Sequence, residues 1–423
     1  MQDGTVERGY GGRSVFHWEE LPQRISRPRY KQYAARLASI GINAVSLSNV
    51  NACDHGNEAL LSPEYIRKAA VLAGVFAHFG IATFLTPCFA SPIVVGHLSS
   101  ADPTRRDVSA WWNATITSVA SAFAAQSAGE RSLGGFLFKA DSEGQPGPQL
   151  YNLTEPEGSA PLAALLRPHD ALLLWRAFAH PGNLGPARIG DQPLLQFEYF
   201  KRLDGLWAEN VVLQIKNGPM DFQVHEPVHS LFGALRHTNV ILELEAAQEY
   251  TGQAWHLCHL PSMWASYLAF DTHCAPGGGP WTLSQAIAAL PRGYGLAAVS
   301  NFGEGDAWTG HPMSAASSFG FGRLGWRLDA SAEDVTREWV ELTWGLDARV
   351  TAPILRMLLS SWAAYESYTA PLGLSAVDGH CNVSWGFPCR TLPDGMPADK
   401  SSHYWHAPAL RRLSNNTSPP PLA

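Results

Sequence analysis

Four apolar runs in this chain end in charged residues, and few folds accommodate that pattern. Phe136-Leu137-Phe138 leads into Lys139, Asp141 and Glu143, and Leu172 to Trp175 leads into Arg176. Val211 to Ile215 leads into Lys216 and then Asp221, and Val240 to Leu244 leads into Glu245 and then Glu249. Short apolar runs of this kind read as buried strands. A barrel of parallel strands gathers the carboxyl ends of its strands at one mouth, where charged groups can reach solvent and each other. Three cations mixed with several carboxylates at such a mouth suit an anionic substrate, held by the former and worked on by the latter.

The rest of the chain supports the barrel. Strand and helix signals alternate from residue 30 to 300. Strands are expected at Ile42 to Leu47, Ile81 to Phe89, Gly135 to Ala140, Ala171 to Ala177, from Val211, from Asn239, and at Gly295 to Phe302. Helices are expected at Tyr30 to Ser39, from Ser62-Pro63-Glu64 to Gly80, and at Asp107 to Ala125, Pro161 to Leu166, Phe197 to Leu203 and Ser284 to Leu290. Ser62 as N-cap with Pro63 behind it is a clear start signal. Repeated βα units give a parallel sheet with helices outside. Seven strands are one short of a closed (β/α)8 TIM barrel. Either a first strand is missing before Met1, or the run Ser14-Val-Phe-His-Trp18 substitutes for it. A doubly wound open sheet is the alternative, but no Gly-rich phosphate loop follows an early strand.

After about residue 328 the pattern changes. Ser331-Ala-Glu-Asp334 resembles a capping box before a helix at Val335 to Trp344, and Ile354 to Tyr368 reads as a second helix. Residues 371–423 are rich in Gly, Pro, Ser and Asn, and the tail Asn415 to Ala423 reads as disordered. The expected division is a barrel over 1–328 and a partial helical region over 329–423.

Composition excludes several classes. With a net charge of −7 and no Lys/Arg run, nucleic-acid binding is disfavoured. No unbroken apolar stretch of about 18 residues suggests a membrane span. Six cysteines in 423 residues do not make a disulfide scaffold. Cys88 and Cys258 read as small core residues, and Cys381 with Cys389 as a bridge across a loop or as free thiols. The chain has 15 Trp, read chiefly as core packing; Trp308 is the best candidate for a platform under a sugar ring. Met1-Gln-Asp-Gly lacks the features of a signal peptide. Sequons at Asn113, Asn152, Asn382, Asn415 and Asn416 favour secretion of a longer parent.

Glu143, Asp221 and Glu249 each lie shortly beyond a strand end, which brings them to one mouth. Hydrolysis of a sugar acetal needs such carboxyl groups on both sides of the bond, one protonated and one ionised. Lys139, Arg176 and Lys216 lie at or beside the last strand residue. They serve either as counter-ions of the nearby acids or as the grip on a substrate carboxylate. No G-x-S-x-G elbow and no paired Cys/His metal spacing occurs, so no metal or cofactor is expected. His256 and His259 read as structural, with His259 as a ligand the other option.

At these motifs the chain resembles the α-glucuronidases of glycoside hydrolase family 67. The matching stretches include Glu7 to Ser14, Leu37 to Asn43, Asn49 to Ala52, Phe89 to Pro92, Trp175 to Phe178 and Gln248 to Gly252. The longest are Lys139-Ala-Asp-Ser-Glu-Gly-Gln-Pro-Gly-Pro148 and Gln214-Ile-Lys-Asn-Gly-Pro-Met-Asp-Phe-Gln223. Trp308 to Pro312 and Phe319 to Leu324 complete the set. The resemblance implies an inverting mechanism without a metal. Glu143 corresponds to the general acid, Asp221 and Glu249 to the pair that activates water, and Lys139, Arg176 and Lys216 to the grip on the uronate. It places Glu143 about 6.5–9.5 Å from the basic carboxylates.

The implied substrate is a small acidic oligosaccharide, a xylo-oligosaccharide with (4-O-methyl-)glucuronic acid at its non-reducing end. The chain departs from the family by starting after the first barrel strand, by lacking most of the helical C-terminal domain, and by an insertion at Cys53 to Ala59. Two other readings stay open: a truncated, inactive fragment that binds uronate, and a hydrolase for another uronide such as a galacturonide.

Overall fold

The computed structural model describes residues 15–48, 50, 53, 57–142, 145–177, 192–219, 222, 226–248, 251, 257–290, 295–300, 302–303, 305, 308–309 and 311–369. Seven strands form one sheet in chain order: β1 (Ala44–Ser46), β2 (Ala82–Leu85), β3 (Leu133–Phe138), β4 (Leu172–Arg176), β5 (Val211–Lys216), β6 (Val240–Glu245) and β7 (Leu296–Val299). Every neighbouring pair is parallel. Helices fill the connections: α1 (Pro28–Ser39), α2 (Pro63–Ala77), the single turn α3 (Ser91–Val94), α4 (Arg106–Gln126), α5 (Glu155–Leu166), α6 (Gln192–Arg202), α7 (Pro261–Ala269) and α8 (Leu283–Ala288). The result is an open (β/α)8-like barrel. The expected seven strands are all present. The Ser14 to Trp18 run is not an eighth: its described residues join no strand, and Phe16 packs on Tyr33 and Phe76 of the helix layer.

The sheet has two chemically distinct faces. Leu173 and Trp175 of β4, Val211, Leu213 and Ile215 of β5, and Val240, Leu242 and Leu244 of β6 belong to one hydrophobic core with the helices. Strand side chains alternate, so Arg176, Gln214, Lys216, Glu243 and Glu245 face the concave interior. All five are buried. The outer core is strongly aromatic: Trp112 of α4 meets Phe138 at 5.8 Å, and Phe138 meets Trp175 at 5.7 Å between ring centroids. Trp112, Trp175 and Trp264 are fully buried. Phe138→Ala would cost about 3–5 kcal/mol at such a site.

Three more helices follow the barrel: α9 (Ala315–Trp326), α10 (Ala332–Trp344) and α11 (Ala348–Thr369). Ser331 caps α10, accepting the Asp334 N–H at 3.0 Å. His259 bolts these helices to the barrel. Its Nε2–H donates to Thr336 Oγ1 at 2.7 Å, since the Thr336 hydroxyl itself donates to the Ala332 carbonyl. The His259 backbone N–H donates to Ser361 Oγ at 2.9 Å. His259 is thus a structural joint, and desolvation lowers its pKa to about 3. His256 lies outside the described residues.

Candidate active site

Lys139 stands one residue past β3, and Arg176 and Lys216 are the last residues of β4 and β5. All three are buried. A cation is driven from an apolar interior unless a carboxylate or dipole compensates it. For Arg176 the compensation is explicit. Its Nε donates to Glu243 Oε2 at 3.0 Å and its Nη2 to Glu243 Oε1 at 2.7 Å. Glu243 stands two strands away, and it can be reached because both side chains face the interior across β5. Lys216 is the register partner of Glu243 on the adjacent strand. The Lys216 ammonium also lies 5.1 Å from the centroid of the Phe222 ring.

His229 lies within reach of the Lys216 charge. Desolvation, helped by that charge, lowers its pKa to about 3, so the ring is neutral. Its Nδ1 accepts the Leu231 N–H at 3.2 Å, which leaves the proton on Nε2, facing Gln196 Oε1 at 3.1 Å. Gln196 of α6 in turn donates to the carbonyl of Ala177, just past Arg176. A neutral imidazole beside Lys216 spares the site a further positive charge.

Glu143, Asp221 and Glu249 lie outside the described residues, but residues beside each are described. Ser142 and Gln145 flank Glu143 in sequence and form an antiparallel bridge, with the Gln145 N–H donating to the Ser142 carbonyl at 2.9 Å. Phe222 follows Asp221 and is buried with φ 58°. Gln248 precedes Glu249, has φ 56°, and donates from Nε2 to the Cys258 carbonyl at 2.8 Å. All of these segments leave the carboxyl ends of β3, β5 and β6.

A second acidic group sits behind the first mouth residues. Burial pushes Asp141 up to about 6, against the pull of its hydrogen bond from Gln149 N–H. Glu155, the first residue of α5, is raised well above the carboxylate range by burial and by the nearby Asp141 charge. It accepts the indole N–H of Trp175 at 2.8 Å. Tyr199 of α6 is raised as well, by burial first and then by Glu155. The sequence pattern marked Asp141 only as a charge beyond β3 and did not single out Glu243 or Glu155. Glu243 had a signal: in β6 it alternates with Leu242 and Leu244, a charge on one face of a buried strand.

Trp308 lies in the segment after β7, with φ 59°. Its ring stacks on Tyr33 of α1 at 5.7 Å, and the Arg29 guanidinium lies 4.6 Å from its centroid. These ring contacts are to α1, while its backbone bonds Gly303 and Gly305 in its own segment.

One cysteine expectation is corrected. Cys88 is buried, but it is bonded to Cys53 rather than being a free core thiol. The two follow the adjacent strands β1 and β2, whose pairing of Ser46 with Phe84 brings their exits together. A separation of 35 residues hides this in the sequence. Cys258 is a free, buried thiol, as expected. Cys381 and Cys389 lie outside the described residues. No group of three potential metal-binding side chains occurs among the described residues. No described helix is long and apolar enough to cross a membrane.

The model of the glycosyl hydrolase family 67 middle domain matches residues 1–308, and that of the family's C-terminus matches residues 309–389. The probable α-glucuronidase A of Aspergillus clavatus is 39% identical over 381 residues, covering 89% of this chain and 44% of that protein. The α-glucuronidase A of Aspergillus tubingensis is 40% identical over 378 residues, covering 89% of this chain and 43% of that protein. The chain thus spans less than half the length of these curated relatives. With most of its length matched by the first of these models, and with buried cations at the carboxyl ends of parallel strands, the chain belongs to glycosyl hydrolase family 67.

Proposed function

We propose that this chain is the catalytic part of an inverting α-glucuronidase. Its substrate is a xylo-oligosaccharide from glucuronoxylan with (4-O-methyl-)glucuronic acid at the non-reducing end. The observation that carries the reading is the burial of Lys139, Arg176 and Lys216 at the carboxyl ends of three adjacent strands. Cations at this end of the sheet suit a uronate carboxylate, with Glu243 holding the Arg176 guanidinium in orientation.

In the reaction, water adds to C1 of the uronic acid as the bond from C1 to the xylosyl oxygen breaks on the opposite face. Glu143 gives its proton to the departing oxygen. Asp221 and Glu249 take the proton from the water, and the released acid carries the inverted anomeric configuration. Trp308 is kept as a candidate for sugar contact. Secretion of the parent protein belongs to the same reading, since the polymer lies outside the cell.

The test is hydrolysis of aldobiouronic acid by wild type and by Glu143→Ala, with the product anomer followed by NMR. Loss of turnover in the variant and a first-formed β-anomer are expected. Equal release by both proteins would remove Glu143 from the acid role, and a first-formed α-anomer would remove inversion.

A second reading, uronate binding without turnover, draws on the sheet itself. Among the described residues its terminal strands β1 and β7 each pair on one side only, and no residue of β1 is buried. Calorimetry with glucuronate alongside the hydrolysis assay separates the two, because binding without turnover favours the second.

A further inference from the structure

The connection from β5 to β6 differs from its neighbours. Every other connection between successive strands carries a helix: α2, α4, α5, α6, and α7 with α8. The described residues of the β5–β6 connection form turns and no helix. A hollow of about 510 Å³ lies there, between α6 and the α7–α8 connection. That is the size and the concave shape of a small-molecule site.

The walls of the hollow are chemically one-sided. Helix α6 contributes Phe197 and Lys201, the β5–β6 connection Phe232 and Arg236, and the α7–α8 connection Phe270 and Cys274. No carboxylate is among the described residues of the lining. The acids close by are engaged elsewhere. Asp204 accepts the backbone N–H groups of Arg236 and His237 at 2.9 and 3.0 Å. Glu198 pairs with Arg202, and Asp271 with His273. Lys201 makes no ion pair among the described residues, and its Nζ lies 5.1 Å from the centroid of the Phe197 ring. Arg236 donates from Nη2 to the Cys274 carbonyl at 2.7 Å, which joins two of the three walls. The guanidinium keeps further N–H donors for a ligand. Phe270 is 48% exposed. An open aromatic face suits the apolar face of a sugar ring, and a Lys–Arg pair suits a carboxylate.

Both cations stand near the amino ends of the strands. Lys201 is in the last turn of α6, and Arg236 comes shortly before β6. Arg176 and Lys216 close the opposite ends of β4 and β5. The two pairs of cations therefore serve different places.

We propose that the hollow is a second, non-catalytic binding site for a sugar that carries a carboxylate: Lys201 and Arg236 hold the carboxylate, and Phe270 receives the ring. Naming that sugar a glucuronic acid unit rests on the proposed α-glucuronidase reading. The site lets the protein hold an acidic oligosaccharide by a uronate other than the one at the mouth.

Cys274 reports on occupancy. It is a free, half-buried thiol on the wall of the hollow, whereas the free thiol of Cys258 is buried. The full chain is alkylated with iodoacetamide, and mass spectrometry of the Cys274 peptide gives the rate with and without sodium glucuronate. For a Kd on the order of 1 mM, about 10 mM glucuronate should slow the reaction about tenfold. Glucose and, at equal ionic strength, sodium sulfate should leave the rate nearly unchanged. Lys201→Ala should abolish the protection and leave kcat on aldobiouronic acid unchanged, since Lys201 takes no part in the candidate active site. Lys201→Glu repeats the comparison with the charge reversed. No protection by glucuronate, equal protection by glucose or by sulfate, or protection that survives both Lys201 variants would overturn the proposal. Turnover decides the other reading separately. Protection of Cys274 without hydrolysis of aldobiouronic acid keeps this site and removes the α-glucuronidase reading, and hydrolysis without protection does the reverse.

Discussion

Arg176 and Glu243, two strands apart, meet in a two-bond fork inside the barrel, with the Glu243 carboxylate fully buried and the guanidinium nearly so. The geometry fixes the plane of the guanidinium. A bidentate pair of this kind holds orientation more tightly than a single bond or a Lys point charge can.

Removing one member of the fork strands the other. Glu243→Gln should destabilise the protein by about 3–5 kcal/mol, the usual cost of breaking a buried pair by one partner. Urea denaturation of this variant, of Arg176→Met and of the double variant would measure it. The double variant should be more stable than additivity of the single losses predicts. Additive losses would mean that the fork does not couple the two residues.

The imidazoles of His229 and His259 impose an acid limit on stability. Both have pKa values lowered to about 3, against about 6.5 when unfolded. Below about pH 6.5 the unfolded chain binds protons that the folded one refuses. Stability from these groups is therefore fully present above pH 6.5 and is lost progressively as pH falls towards 3. His259→Gln keeps a donor for Thr336 but cannot titrate. Its melting temperature should fall less than that of wild type between pH 6.5 and 4.5. Parallel profiles for the two proteins would refute the assignment.

Two glycines of α9 should respond oppositely to alanine. At Gly322 a Cβ would fall 1.6 Å from the carbonyl oxygen of Ile40, at the end of α1, so the helices would have to separate. Gly322→Ala should cost roughly 3 kcal/mol or more, as overpacking against backbone does. At Gly325 nothing lies within 4 Å of the added atom. There the better helix propensity of alanine should stabilise by up to about 1 kcal/mol. Thermal melts of both variants suffice, and a neutral Gly322→Ala would show that α9 does not dock this closely.

The bond between Cys53 and Cys88 closes a long loop and ties the Cys53 N–H to Gln145. Loop entropy sets its contribution at about 3–4 kcal/mol before any native strain. Cys53→Ser with Cys88→Ser should lower the unfolding free energy by about half that or more. Reductant should lower the melting temperature of wild type and leave the double variant unchanged. Identical responses to reductant in both proteins would speak against the bond.

Much of this was legible in the sequence because it is carried by local pattern. The seven strands, and the placing of Lys139, Arg176 and Lys216 at strand ends, follow from apolar runs and where they stop. The helix α9 was not, since Gly320, Gly322 and Gly325 weaken helix propensity and are there to let Pro261 and Ile40 approach. The early start of α5 was missed for a different reason. Thr154 and Glu157 form a capping box there, ahead of the Pro161 from which the helix was expected. The fork of Arg176 with Glu243, the bond of Cys53 to Cys88 and the burial of Asp141 against Glu155 all join distant positions, and no local pattern reports such distances. Glu143, Asp221 and Glu249 lie outside the described residues, so their roles rest on motif resemblance and on the neighbours that are described.

The two-faced sheet has a further consequence. Sliding β5 by one residue against its neighbours would carry Gln214 and Lys216 under the helices and deliver Val211, Leu213 and Ile215 to the cavity. The hydrogen-bond ladder that makes the protein fold is thus also the ruler that meters its charges. A slip in strand pairing would therefore misplace the charged side chains even where the strands stayed paired.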